Sequence, residues 1–429
     1  MECGGRILET QGADIAATIR AFRHAYPGYA NTAVVPVSAS DALGCLETGF
    51  ARAVEALIET LVPAQRDGKI KCLRQVNVLV GSMLTPGDIE GIKEWVAAFG
   101  LRPVVLPDIG DSLDGHLIAE GYATLTYGGI SRQQIARLGE SCATLVIGSS
   151  LARAADLLKE RTGVPDHRFD GIMGLDACDA FTATLAAIAG VAVPAGLERQ
   201  RSQLQDAMVD CQFQLGGRAA VAADADLLAS LVRLFASLGI ETVAAVAAAK
   251  SDILAHLPVA RVTIGDLEDL EVQARDARAQ VLVANSHGAQ IASRLALPLM
   301  RAGFPLYDQA GAHLRQWVGY RGTSQTLFEL TNHLAAHYQE IAPYRSNRIL
   351  LGQAADVGEH PADHRRSGAR HPGSPQSGKC GHPSRRGGLG GSGVGCRGEL
   401  PAQAARRQCP RIPRTLSNRP PLTGSTHHV

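Results

Sequence analysis

Short apolar runs alternate with helix-like stretches of 10–15 residues through most of the chain, and that alternation restricts the fold more than any other feature. "QVNVLVG" (75–81) reads as a continuous apolar strand, and "LRPVVLPD" (101–108) and "ATLVIGS" (143–149) as the strands that follow it. Continuous apolar strands are expected where helices cover both faces of a parallel sheet. Between the first two, Thr85 is placed to cap a helix, Pro86 to take its first position and Asp88 to put negative charge in its first turn. That helix runs through Trp95 and Phe99 to Gly100, and a second follows over 151–162, ending before "GVP". Residues 174–216 read as two helices. The alternation then restarts with "RAAVAAD", a helix over 226–238, "IETVAAV", "ARVTIGD", an acidic helix over 267–277, and "QVLVANS". A last helix is expected from Thr323, with Leu327, Leu330, Leu334 and Tyr338 along one face. Strands alternating with helices predict an α/β chain of Rossmann-like doubly wound parallel-sheet domains.

The two ends read differently. Residues 12–63 predict a helix near Asp14–Arg23, an extended "TAVVPV" and a long helix over Leu46–Leu61 ending at Pro63, with no convincing strand before them. A parallel domain that opens this way is expected to be the C-terminal part of an incomplete first domain, over 1–70. A second domain is expected over 71–173 and a third, with flanking helices, over 174–345. Residues 352–429 hold 14 Gly, 9 Pro and no aromatic residue, so 346–429 is expected to be a disordered or out-of-frame tail. Eleven Arg and one Lys against four acids give this tail +8, so a chain of net charge +1 has an acidic body at −7. An acidic body argues against nucleic acid as a partner. The longest uncharged apolar stretch, "TLAAIAGVAVPAGL", has 14 residues and includes Gly190, Pro194 and Gly196. A membrane span needs roughly 18 or more. With no basic leader followed by an apolar core in "MECGGRILETQ", a soluble cytoplasmic protein is expected.

Several corners are candidate sites. Asn285-Ser286-His287-Gly288 follows a strand, the end at which doubly wound sheets bind ligands, yet the same residues suit a strand-to-helix cap. The corners "VGSMLTPGD" and "IGSSLARA" contain glycine but lack G-x-G-x-x-G, and no G-x-x-x-x-G-K-[ST] occurs, so neither is a phosphate loop. Asp114 and His116 in "SLDGHL" have no accompanying nucleophile motif and read as a loop. His360 and His364 lie in the tail without folded context. Nine cysteines, none in CxxC spacing, give no self-contained zinc or redox motif. Cys45 stands just before a helix, where a thiolate and hence a metal ligand is electrostatically favoured, but the favoured reading is a buried cysteine that packs the corner.

Read together, "LGCLETGFARAVEALI", "RQVNVLVGSMLTPGDIE", "PDIGDSLDGH", "RQRSQLQDAMVD", "GDLEDLE", "VLVANSHG", "RAGFPLYD" and "VGYRGT" form, in this order, a series that resembles the NifN family of nitrogenase component 1 proteins. The resemblance runs from about Glu9 to about Arg345. It implies three Rossmann-like domains and the β-like subunit of the scaffold on which the nitrogenase iron–molybdenum cofactor precursor is assembled before transfer to the apo molybdenum–iron protein. It also implies a heterotetramer with NifE, an iron–sulfur cluster at the pair's interface, and transient contact with the nitrogenase iron protein and cofactor-delivery proteins. The other implied roles are a catalytic β subunit of nitrogenase or of light-independent protochlorophyllide reductase; an unrelated Rossmann-type ligand binder is disfavoured by the missing phosphate loops. Members of the family have an N-terminal segment with a cluster cysteine, and Cys3 and Arg6 in "CGGRILET" do not reproduce that ligand. Asp41 falls where the catalytic subunit has a serine near its cluster. No cluster ligand, catalytic residue or metal ligand is therefore assigned, and Asp41 and Cys45 are at most neighbours of the interface.

Overall fold

Two parallel sheets, one of four strands and one of five, organise the computed structural model, which describes residues 14–39, 44–64, 72–117 and 126–336. The expectations for Cys3, Arg6, Asp41, Tyr338, His360, His364 and the segment 346–429 lie outside these residues.

Helix α1 (Ile15–Ala25) is followed by α2 (Leu46–Leu61). Residues 33–39 between them carry no strand pairing, so "TAVVPV" joins no sheet. The first sheet is built from β1 (Cys72–Val80), α3 (Pro86–Ala98), β2 (Arg102–Leu106), the short α4 (Ile109–Ser112) and α5 (Arg132–Ala136), β3 (Ser141–Ile147), α6 (Ala152–Thr162) and β4 (Asp166–Phe169). Its strand order is β2-β1-β3-β4, all pairs parallel, with Val78 opposite both Val105 and Leu145. β1 is buried on both sides from Gln75 onward, polar Gln75 and Asn77 included, because both its faces are covered. Val76, Val78 and Val80 join one core with Ile89, Ile92 and Trp95 of α3. Leu79 points the other way, onto Val54 and Ile58 of α2 and Leu158 of α6. The buried polar residues of β1 are satisfied across the sheet: the Asn77 Nδ2 donates to Leu138 O at 3.0 Å, and Ser141 Oγ donates to Asn77 Oδ1 at 2.7 Å.

Helices α7 (Leu175–Ala189) and α8 (Ala195–Cys211) lead into the second sheet, as the two-helix expectation has it. That sheet comprises β5 (Arg218–Ala222), α9 (Ala225–Ser237), β6 (Glu241–Ala247), β7 (Thr263–Ile264), α10 (Leu267–Asp276), β8 (Val281–Ala284), α11 (Ala289–Leu295) and β9 (Leu299–Arg301). Its order is β7-β6-β5-β8-β9, again parallel throughout. Ala220, Leu282 and Ala284 face Leu270 and Ile291. Val221, Val281 and Val283 face the opposite way, into the same core as Val76 and Val78, so one apolar layer is continuous between the two sheets.

Two expectations are corrected. The final helix, α12 (Gly319–Ala336), starts four residues before Thr323. Gly319 supplies a positive φ of 75° at its start, and the preceding segment is pinned because Asp88 Oδ1 accepts from the N–H groups of Trp317 and Val318. "GVP" is followed by a paired strand, β4, whose sequence Asp-His-Arg-Phe carries no apolar run because it lies at the sheet edge. Among the described residues no helix is long and apolar enough to cross a membrane.

Candidate functional site

In each sheet the chain leaves the first strand toward one side and later returns to the other, between β1 and β3 and between β5 and β8. Ligands of doubly wound sheets bind in the crevice that opens at this reversal, beyond the carboxyl ends of the strands. The "VGSM" and "IGSS" corners bound the crevice of the first sheet. It is filled from within the chain by Asp226, in the first turn of α9. The Asp226 carboxylate accepts from the Ser149 N–H at 3.0 Å, the Ser150 N–H at 3.1 Å and the Ser150 hydroxyl at 2.6 Å, and also from the Ser149 hydroxyl. The two corner glycines make this approach feasible. A Cβ on Gly148 would sit 2.7 Å from Asp226 Oδ2, and Gly148 has a φ of 115° that side chains rarely adopt. Asp226 is thus in the place where a phosphate would meet a helix N-terminus, so a phosphate-bearing ligand finds its cradle already satisfied.

Glu47, in the first turn of α2, completes the junction. Its Oε2 accepts from the Asp226 backbone N–H at 2.9 Å, and its side chain is almost fully buried, at 3% exposure. Burial, with Asp226 and Asp224 close by, pushes the Glu47 carboxyl up to about 8. At neutral pH it therefore holds its proton. The positive N-terminal ends of α2, α6 and α9 converge here, which is what lets three acids share a buried place with few compensating charges.

Cys45 is the N-cap of α2, with its backbone N–H bonded to Thr48 Oγ1 at 2.8 Å. Placement beside a helix N-terminus does not favour its thiolate. Burial raises the thiol, Asp224 and Glu47 raise it further, and the thiol hydrogen-bonds to Asp224. Asp41 lies outside the described residues. Among the described residues no group of three or more His, Cys, Asp or Glu side chains is arranged to hold a metal ion, and Cys178 and Cys211 are buried apart. The described residues therefore do not by themselves fit an iron–sulfur cluster.

The Asn285–Gly288 corner stands at the carboxyl end of β8. The Asn285 Oδ1 accepts from the His287 N–H at 3.1 Å, and its Nδ2 donates to Phe304 O at 3.0 Å. Ser286 Oγ donates to Asp308 and accepts from the Tyr307 N–H at 3.0 Å. Arg301 and Ser286 hold Asp308 down at about 2. The His287 ring meets Tyr307 edge-on, 5.5 Å between centroids. All three side chains thus engage the loop from Phe304 to Asp308, while Asn285 also lines a cavity of about 230 Å³ at the second sheet's reversal point. Asp114 and His116 form a surface ion pair that raises His116 and lowers Asp114, far in sequence from any of these residues.

The sequence offered little notice of Glu47, Asp224, Asp226, Ser149 or Ser150. Each reads as an ordinary first-turn or corner residue. The one available signal is an acid at the start of each of two apolar helices, next to Gly-Ser corners that lack a phosphate-loop pattern.

The model of the family of nitrogenase component 1 type oxidoreductases matches residues 7–335. The chain belongs to that family. Within it the similarity is to NifN. The chain is 44% identical over 346 residues to the nitrogenase iron-molybdenum cofactor biosynthesis protein NifN of Klebsiella pneumoniae, covering 79% of this chain and 74% of that protein. It is 42% identical to the NifN of Rippkaea orientalis, over 77% of this chain and 74% of that protein. With the NifN of Bradyrhizobium diazoefficiens the identity is 39%, over 79% and 72%. Among solved structures, a nitrogenase component 1 chain, Nitrogenase Cp1 at pH 6.5, superposes with a TM-score of 0.68 at 26% identity, covering 77% of this chain and 74% of that chain. The doubly wound architecture expected from the alternation is the architecture of the nitrogenase component 1 family.

Proposed function

We propose that this chain is the β-like subunit of a scaffold on which the iron–molybdenum cofactor precursor of nitrogenase is assembled before transfer to the apo molybdenum–iron protein. The observation that carries this reading is 39–44% identity to three NifN proteins over about three quarters of their length. In this reading the partner is a NifE-type α-like subunit in a cytoplasmic heterotetramer. The precursor is cargo of the assembly, and the nitrogenase iron protein and cofactor-delivery proteins are transient contacts. The domains divide at about residues 70 and 173. Neither nucleic acid nor membrane enters the assembly.

An iron–sulfur cluster at the pair's interface would supply electron transfer when bound, and no ligand to it is assigned among the described residues. What the chain itself contributes is positioning. Asp226 and Glu47 tie the start of α2, which carries Cys45 and follows Asp41, to the corner after β3 and the start of α9. Cys45, the expected interface neighbour among the described residues, is thereby tied to both sheets through α2.

The test is complementation. In a diazotroph lacking its own NifN, expression of this chain is expected to restore nitrogenase activity and to relieve accumulation of apo molybdenum–iron protein. Stable expression together with persistent accumulation of the apoprotein contradicts the reading.

A further inference from the structure

We draw no further inference here: the strongest candidate, the cavity of about 250 Å³ between α3, α8 and the start of α12, rests on the N-termini of α8 and α12 alone, because the Trp95 indole N–H, which lacks a hydrogen-bond partner among the described residues, is buried out of contact with the open space.

Discussion

A buried carboxyl beside two other acids is destabilising in proportion to how many of them are charged, and at Glu47 the protein meets this cost by keeping the proton. The ordinary glutamate value of 4.5 rises to about 8, through burial first and then through Asp226 and Asp224. The sign follows from linkage. Below about pH 4.5 the folded and unfolded chains both hold this proton, and the group's contribution to stability is fully present. As pH rises from 4.5 to about 8 only the unfolded chain releases it, so that contribution is lost progressively across this window. Glu47→Gln keeps an acceptor for the Asp226 N–H and cannot titrate. Its urea midpoint, measured between pH 5 and pH 9, is expected to fall less steeply than the parent's; parallel profiles would show that Glu47 is not the group responsible. Asp226 has a different part. Asp226→Ala would leave the N–H groups of Ser149 and Ser150 without their partner, at a cost of about 3 kcal/mol in unfolding free energy. A loss under about 1 kcal/mol would mean that water replaces the carboxylate without difficulty. Neither residue was legible in advance, because the junction joins positions 47, 149 and 226, and nothing local marks their meeting.

At the scale of elements, legibility followed burial symmetry. β1, β3 and β8 could be read because apolar runs covered on both faces leave a plain signature. β4 could not, since an edge strand of Asp-His-Arg-Phe needs few apolar residues, and α12 was read four residues late because Gly-Tyr-Arg-Gly resembles a turn. The start of α3 was legible in part. Thr85, Pro86 and Asp88 fulfil their local expectations, with a reciprocal capping box between Thr85 and Asp88. The longer-range role of Asp88 was hidden. Fully buried, it also accepts from the N–H groups of Trp317 and Val318, so one carboxylate both starts α3 and anchors the approach to α12. Asp88→Ala should therefore cost more than a capping residue's usual ~1 kcal/mol, at about 3 kcal/mol. Hydrogen exchange at Trp317 and Val318 should accelerate with it. If only the α3 amides lose protection, the anchor is unimportant.

For the whole molecule, the alternation of apolar strands with helices specifies parallel sheets, and the ordered series of motifs specifies the family. What rhythm and motif do not specify is how the sheets communicate. They share one apolar layer, and the reversal crevice of the first is filled by an aspartate from the first helix of the second. That filling gives a physical reason why a fold so often used for nucleotides carries no phosphate loop at this corner. The central claim concerns assembly. Native mass spectrometry with iron and acid-labile sulfide analysis, on this chain co-expressed with its α-like partner, tests it most directly. The account predicts a complex of two copies of each chain containing both iron and sulfide. A chain that never pairs with that partner, or a pair free of iron and sulfide when cluster-assembly proteins are present, would contradict it.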